Sequence, residues 1–342
     1  AFSRGAATAQ VGAAARGRSV SGPRASVADG GPVTVPAEPS PTTANGRSLG
    51  LVAVLTASVF WSFGGVLGKA TGAGGVVLSF WRMWTATLVM LGVCSVMRRM
   101  PSRADVRAAA PLGTLFGLNI CAFFISLEHL SVAIALIIGA LTPVVALPVA
   151  TIWMGERLTT VKAACALVAV GGVIVAVLAA PSPTGADAND AIGYLWAVVS
   201  LLVWVAYLLI SKRVRDRVET VRFMFVMSFV GAVTVSVLVI ATAADLGRVH
   251  GVGWLWMVLL ALGPGLMGHG LIAWAQPRVD SSVSTLLIQA EPVGASIAAW
   301  VFLGERVGFV QGLAMAAVLV SLAYLAVREA REARLVIDET LP

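Results

Sequence analysis

The stretch LTPVVALPVATIWMGERLT, from Leu141 to Thr159, recurs as AEPVGASIAAWVFLGERVG from Ala290 to Gly308. Each copy is an apolar run that contains a proline, Pro143 or Pro292, and ends in Gly-Glu-Arg. A proline inside a membrane helix frees a backbone carbonyl and bends the helix, which is tolerated where neighbouring groups or a cavity satisfy it. We therefore predict helix breaks at Pro143 and Pro292. A duplicated, broken membrane helix is typical of transporters built from repeats.

The amino-acid composition is that of a membrane protein. Hydrophobic residues make up 58% of the chain and charged residues only 12%, with a mean hydropathy of +0.90, whereas soluble domains are about one quarter charged. Apolar runs of about 20 residues, the length that crosses a bilayer, recur from residue 49 to 327. We predict ten membrane-spanning helices, at 50–69, 76–97, 109–128, 132–154, 160–180, 191–211, 223–243, 254–275, 281–303 and 308–327.

The positive charge of the chain does not indicate a nucleic-acid partner. The net charge is +7 and the isoelectric point about 10.0, but Lys and Arg lie in the loops between predicted spans rather than on one face of a soluble domain. Cys94, Cys121 and Cys165 fall inside apolar runs and are predicted to be small core residues. The sequence contains no Cys/His metal motif, and we predict neither a metal nor a cofactor.

The distribution of Lys and Arg predicts how the chain lies in the membrane. They concentrate in the loops at 98–107 and 211–222 and in the tail at 328–342, whereas the loop at 181–190 carries only acids. The positive-inside rule therefore predicts that both termini are cytoplasmic. Residues 1–48 place arginines among small and polar residues and are predicted to be a disordered cytosolic tail. A transit peptide is the alternative interpretation.

The predicted spans divide into two halves of five, at 49–180 and 190–327. Because five is odd, the second half enters the membrane upside down relative to the first. Trp61 recurs as Trp204, and each tryptophan is followed eight residues later by a lysine. In inverted repeats of this kind the binding site lies near the midplane where the halves meet, and alternating access arises as one half moves against the other.

These features resemble the EamA-type transporters of the drug/metabolite transporter (DMT) superfamily. The resemblance covers residues 50 to 327, and the paired Pro…Gly-Glu-Arg stretches are its most specific part. It implies export of amino acids, metabolites or drugs across the bacterial inner membrane, and related proteins move nucleotide sugars or triose phosphates in eukaryotes. It also implies a central cavity lined by the first, third and fourth spans of each half. Those spans hold Trp61, Asn119, Pro143, Trp204, His269 and Pro292.

Ionisable residues inside the predicted spans are candidates for function, because burying a charge in the bilayer is costly. Glu291 either couples transport to protons or binds a substrate amine, or else it bonds backbone groups freed by Pro292 or pairs with a cation. His269, between two glycines, contacts substrate, relays protons to Glu291 or bridges two helices. Asn119, its near-equivalent in the first half, bonds either a ligand or another helix.

Other polar and aromatic residues carry two interpretations each. Arg82 is predicted near the outer face, where it attracts an anionic group, pairs with a carboxylate or extends to the interface. Lys69 is predicted to be an interfacial anchor. Trp61 and Trp204 either wall the cavity or face lipid. The Gly-Glu-Arg ends are predicted to be structural, as signals that stop a span.

The sequence thus predicts an all-α integral membrane protein of ten transmembrane helices in two inverted five-helix repeats. We expect a secondary transporter rather than an enzyme, whose partners are a small-molecule substrate, the lipid bilayer and, in one interpretation, a proton. The alternatives are an intramembrane enzyme that uses Glu291 and His269 as an acid–base pair, an organellar metabolite exchanger, and a scaffold or channel without coupled transport.

Overall fold

The computed structural model describes residues 44–146, 159–179, 191–215, 218–275, 278–279, 287–288 and 290–340. Regular structure within these ranges is entirely helical. The α-helices are α1 (Ala44–Ser62), α2 (Gly64–Ala70), α3 (Gly75–Val96), α4 (Arg103–His129), α5 (Val132–Gly139), α6 (Thr160–Leu178), α7 (Ala191–Arg215), α8 (Thr220–Thr242), α9 (Gly253–Leu260), α10 (His269–Ala275), α11 (Glu291–Leu303) and α12 (Phe309–Thr340). A 3-10 helix, Leu246–Arg248, precedes α9, and a π-helix, Ala261–Gly268, joins α9 to α10.

Seven helical segments in the described ranges are long and apolar enough to cross a membrane. They are Ser48–Ala70, Gly75–Val96, Arg103–His129, Thr160–Leu178, Ala191–Ser211, Thr220–Thr242 and Gly253–Ala275. Three shorter apolar helices are Val132–Ala146, Glu291–Leu303 and Phe309–Leu325. Large apolar side chains such as Leu178, Ile240 and Phe309 are exposed on the outside of the bundle. An outer surface of this kind fits lipid rather than water.

Helix α4 begins at Arg103, six residues before the predicted start of the third span. Ser102 and Asp105 form a capping box, in which the Asp105 backbone N–H donates to Ser102 Oγ at 3.1 Å and the Ser102 backbone N–H donates to Asp105 Oδ2 at 2.8 Å. These bonds satisfy helix-end donors and move the start of the helix into the polar loop. The prediction followed hydropathy alone and therefore began the helix too late.

The structure also differs from the predicted tails. Helix α12 continues to Thr340, so most of the stretch 328–342, predicted as a separate tail, extends the last helix. Its Ala, Arg and Glu residues favour helix even where the sequence is too polar for a membrane. Helix α1 begins at Ala44, inside the predicted N-terminal tail. The rest of that tail, and the predicted loop at 181–190, lie outside the described residues.

Several helix ends near the repeated stretch follow from the sequence. Ser131 caps α5, accepting from the backbone N–H of Ile134 at 3.3 Å, and Thr159 caps α6 in the same way through Lys162. Gly304, from the second Gly-Glu-Arg, ends α11 with φ 69°, a left-handed conformation that glycine adopts without strain. The first Gly-Glu-Arg, Gly155–Arg157, lies outside the described residues.

The two halves, α1–α6 and α7–α12, share one core. Helix α4 packs against α7 and α8, α3 packs against α8, and α1 packs against the π-helix, α10 and α11. At the crossing of α4 and α8, a Cβ added to Gly117 would lie 2.7 Å from the carbonyl oxygen of Gly231. Small residues at such a crossing let two membrane helices approach closely. The space between the halves is therefore filled by side chains from both.

Candidate functional site

Five rings from both halves form a continuous series of contacts, which we call the ring chain. Trp61 lies 4.9 Å from His269, and His269 lies 5.2 Å from Phe116, between ring centroids. Phe116 lies 5.8 Å from Tyr207, which stacks on Trp204 at 5.0 Å. Such centroid distances are typical of favourable aromatic pairs. The two related tryptophans therefore lie at the two ends of one cluster that crosses the interface between the halves.

The irregular backbone of the π-helix places Trp61 beside His269. Pro264 interrupts this segment, and the backbone N–H of His269 bonds Leu266 O. The Pro264 carbonyl instead accepts a hydrogen bond from Trp61 Nε1 at 3.1 Å. A Cβ added to Gly268 would overlap the Trp61 indole, so a glycine is needed where the two elements meet. One tryptophan thus satisfies an irregular backbone inside the membrane, where an unpaired carbonyl is costly.

The two copies of the repeated stretch restart their helices at equivalent positions. In the first copy α5 ends at Gly139, and helix resumes over 142–146. In the second copy α11 begins at Glu291, after a turn at Ala290. Thr142 and Glu291 are separated by 149 residues, the offset between the two copies. Each is the first residue of the helix that restarts there.

Both prolines accordingly lie in the first turn after a break. Pro292 is at the start of α11, where its missing N–H has no helical partner to lose. Glu291, predicted near the centre of the ninth span, is the first residue of α11. Hydropathy alone does not register the turn at Ala290 that precedes it.

The residues at the two helix restarts differ in the hydrogen bonds of their side chains. Thr142 Oγ1 donates to Gly139 O at 2.7 Å, so a backbone carbonyl at the break is hydrogen-bonded by a side chain of the same segment. At Glu291, the backbone carbonyl accepts from Ser62 Oγ of α1 at 3.3 Å. Within the described part of the chain, no hydrogen bond or ion pair reaches the half-buried Glu291 carboxylate. The second half therefore presents an acid where the first half presents a closed backbone turn.

Arg82 is buried in α3, with 5% of its surface exposed. The side chain is therefore packed inside the bundle, which argues against the interpretation that it extends along the outer surface to the interface. Its Cζ lies 5.3 Å from the ring centroid of Phe124. A cavity of about 10 Å³ beside it is lined by Arg82, Met83, Ala86, Phe116, Met224, Met227, Ser228, Gly265 and Leu266. This volume holds about one water molecule.

Asn119 links the two halves rather than facing an open site. Its Nδ2 donates at 2.9 Å both to the Ser200 backbone carbonyl and to Ser200 Oγ in α7. Asn119 is itself buried, and these bonds use both of its amide hydrogens. Of its two predicted roles, the structure supports the helix–helix bond.

Lys69 and Glu305 form a bonded group that we call the clasp. Lys69 Nζ lies 2.8 Å from Glu305 Oε1 and 2.8 Å from the backbone carbonyl of Leu130. Glu305 Oε2 accepts from the backbone N–H of Val132, at the start of α5, at 2.9 Å. Lys69, predicted as an interfacial anchor, is thus also bonded to two other parts of the bundle. The glutamate of the second Gly-Glu-Arg does more than end its own helix, because it ties the second half to two elements of the first.

A larger hollow of about 550 Å³ lies elsewhere, between α11 and α12. All the residues that line it belong to the second half: Val293, Ser296, Ile297, Trp300, Arg306, Val307, Gly312, Met315, Ala316 and Leu319. Several of them, including Ile297 and Trp300, are exposed on the outer surface of the bundle. This hollow faces outward and does not lie between the halves.

Two observations bear on the predicted enzyme alternative, in which Glu291 and His269 form an acid–base pair. Within the described residues His269 contacts rings, and no hydrogen bond joins it to Glu291. Groups of three or more His, Cys, Asp or Glu that would hold a metal are absent from the same residues. The predicted residues Trp61, Trp204 and His269 come together.

Two members of the ring chain, Phe116 and Tyr207, were not predicted. Tyr207 lies three residues after Trp204 and therefore on the same face of α7, a spacing that points to it.

Comparison with known proteins gives the family of the chain. The model of the EamA-like transporter family matches it twice, at residues 48–178 and 191–327. A protein of known crystal structure is similar to it, with 24% identity and a TM-score of 0.58 over 82% of this chain and 99% of the other. None of the curated proteins compared with it matches. The two family matches cover well over half of its length, one in each half, and the chain belongs to the EamA-like transporter family.

Proposed function

We propose that this protein is a secondary transporter that carries a small solute between its two halves by alternating access. In this proposal the seven long and three shorter apolar segments make ten crossings, and the second half is inverted relative to the first. Both termini are cytoplasmic, and the transporter exports its solute across a bacterial inner membrane. The charge distribution supports this orientation, since the loops at 98–107 and 211–222 carry most of the Lys and Arg.

The pair of helix restarts carries the proposal. Discontinuous helices at matching positions of inverted repeats are the usual place of substrate and coupling-ion sites, because helix ends and unwound backbone offer unpaired polar groups there. Thr142 and Glu291 hold this position in the two halves. The family match to each half supports the same interpretation. In this account the ring chain forms the apolar wall of the pathway.

Glu291 is the residue we assign to coupling or to substrate binding. A carboxylate inside a membrane protein without a cationic partner among the described residues is costly to keep ionised. It therefore binds either a proton or a cationic group of the solute at some stage of the cycle. His269 and the two tryptophans of the ring chain are assigned to solute contact, with flat faces that suit apolar and cationic groups.

The clasp closes one end of the pathway. It joins the end of α2 and the start of α5 to the end of α11, and by the proposed orientation it lies on the outer side of the membrane. Opening the pathway to that side requires the clasp to separate. The conformation described above is in this account the one closed to the outside.

The metabolite profile of the culture medium tests the proposal. Cells that produce the wild type, Glu291→Gln or no protein are compared. A compound that accumulates outside only with the wild type identifies the solute and assigns Glu291 to the cycle. Solute counterflow in proteoliposomes then separates a carrier from a channel, because only a carrier exchanges labelled for unlabelled solute. If neither export nor counterflow is found for any compound in the profile, the transport proposal is wrong.

Labelling of a single cysteine tests the orientation. His250 lies in an exposed loop before α9, on the side that the proposal places outside. In intact cells His250→Cys should react with a membrane-impermeant maleimide. Reaction only after the cells are opened would invert the proposed topology.

A further inference from the structure

We propose that Arg82 is the anion-binding residue of the pathway and that the transported solute carries a carboxylate or phosphoryl group. This inference rests on the proposed transport function and adds the chemical class of the solute. It starts from the position of Arg82, in the eighth residue of the 22-residue helix α3, with 5% of its surface exposed. Arginine stays protonated in proteins, so this position holds a positive charge.

The guanidinium is buried without a counter-ion. Within the described residues it forms neither a hydrogen bond nor an ion pair, and its recorded contact is with the Phe124 ring. A ring face stabilises a cation by about 1–2 kcal/mol, far less than removing the charge from water costs. Buried charges in membrane proteins are paired or mark the path of an ion or substrate. An arginine left unpaired in the closed state is therefore available to a ligand.

The guanidinium lies at a cavity between the halves. Elements of both halves line that cavity, and among its described lining residues Ser228 provides the only other polar side chain. Ser228 is buried, and in the described part of the chain its hydroxyl has no hydrogen-bond partner either. A cation and a free hydroxyl in one small cavity match an oxyanion, because the guanidinium offers two parallel N–H donors to a carboxylate or phosphate.

The π-helix places a residue without a side chain beside the guanidinium. A Cβ added to Gly265 would lie 3.6 Å from Arg82 Nε and 3.9 Å from Nη2, so bare backbone covers this side of the group. Phe116 lines the same cavity and contacts His269 in the ring chain. The anion site and the apolar wall are therefore continuous. A solute with an anionic group and an apolar or aromatic body fits both.

Thermal unfolding of the purified full-length protein in detergent tests the anion site. The probes are benzoate and phenyl phosphate, with benzamide as a neutral molecule of similar shape, all at constant ionic strength. We expect at least one anion to raise the Tm saturably above the effect of benzamide. Arg82→Gln should weaken its apparent affinity at least about tenfold, and Arg82→Lys should weaken it less, because an ammonium keeps the charge without the two-pronged geometry.

Arg222→Gln is the matched control. It removes the same charge from a residue that already pairs with Asp105 and Glu219 at the start of α8. It should leave the anion response unchanged. If Arg82→Gln does not fold, Gly265→Leu keeps Arg82 but fills the space beside it, and the response should again be lost. The inference is overturned if neither anion exceeds benzamide in the wild type, or if Arg82→Gln responds as the wild type does.

The two proposals fail separately. If the solute found in the culture medium is neutral or cationic at pH 7, Arg82 is not its binding residue, while the transport function stands. If no solute is transported but an anion stabilises the wild type and not Arg82→Gln, the anion site stands and the transport function does not.

Discussion

The two halves of this protein share a sequence pattern and a helix break, but they use the break differently. In the first half Thr142 donates to Gly139 O and closes the turn on itself. In the second half Glu291 leaves its carboxylate without a partner among the described residues. The third spans differ in the same sense, since α4 is continuous and its Asn119 bonds Ser200, whereas the second half has a π-helix that positions His269.

This difference teaches how a duplicated fold becomes specialised. The repeat preserves the break because the geometry of the bundle depends on it. The polar chemistry at the break belongs to one copy, because one coupling or binding group is enough for one pathway. The first half has a buried charge of its own, Arg82 in its second span, α3. The second span of the other half, α8, carries a charge only near its start, at Arg222. Each prediction below compares a residue with a matched position.

The largest effect is expected from Glu291→Gln, compared with Thr142→Val. Loss of a charged contact costs about 2–3 kcal/mol, or roughly 30- to 150-fold in proton-gradient-driven transport. Thr142→Val removes one local hydrogen bond and should stay within about threefold, near the lower bound for such a bond. The measurement is the initial rate of solute uptake into proteoliposomes under a pH gradient. If the Glu291→Gln protein transports at the full rate with an unchanged pH dependence, the proposed difference in role between Glu291 and Thr142 is wrong.

The next effect is expected at the π-helix, from Gly268→Ala compared with Gly270→Ala. An added Cβ at Gly268 overlaps the Trp61 indole, whereas one at Gly270 meets only Met224 Sδ, at 3.9 Å. Overpacking of this kind costs about 1–3 kcal/mol of stability, and Gly270→Ala should gain up to about 1 kcal/mol from helix propensity. Thermal unfolding in detergent measures both. Equal Tm values for the two variants would contradict the contact between Trp61 and the π-helix.

A smaller effect is expected at the clasp, from Glu305→Gln compared with Glu219→Gln. Glu305 has a side chain only 19% exposed and bonds both Lys69 and the backbone of Val132. Its neutralisation should lower stability by about 1–2 kcal/mol, because glutamine keeps one acceptor oxygen and so loses only part of the roughly 1.5–3 kcal/mol typical of charged hydrogen bonds. Glu219 pairs with Arg99, which is 49% exposed, and exposed pairs contribute about 0–1 kcal/mol. A Tm that falls as much for Glu219→Gln as for Glu305→Gln would show that the clasp is no stronger than a surface pair.

Sequence alone predicted the parts of this account that depend on composition and periodicity. The length of the apolar runs predicted the membrane segments. The repeated proline and Gly-Glu-Arg predicted the division into two halves. Trp61, His269 and Trp204 were predicted because polar or aromatic groups in apolar runs stand out. Phe116 was not, because a phenylalanine in a membrane span is indistinguishable in sequence from ordinary core. The burial of Arg82 was missed because its distance from the interface depends on how α3 packs.

The clasp was the least predictable feature. Lys69 and Glu305 are 236 residues apart, and no local pattern joins them. Their contact follows only from the way one half inserts between helices of the other. The same holds for Trp61 and Pro264, whose bond depends on an irregular helix that hydropathy does not register.

The central claim is that the two halves move against each other to carry a solute. Ser62 in α1 and Gly294 in α11 test it, because a Cβ added to Gly294 would lie 3.0 Å from Ser62 Cβ. A separation of the two helices by less than about 1 Å brings this distance into the range of a disulfide, about 3.5–4.5 Å. The double variant Ser62→Cys/Gly294→Cys is placed in proteoliposomes. The wild type is the control, because it contains the three buried native cysteines but not the new pair. We predict that oxidation slows solute counterflow at least about tenfold and that reduction restores it. If the protein with the disulfide fully formed shows counterflow as fast as the protein with the disulfide reduced, movement between the halves is contradicted.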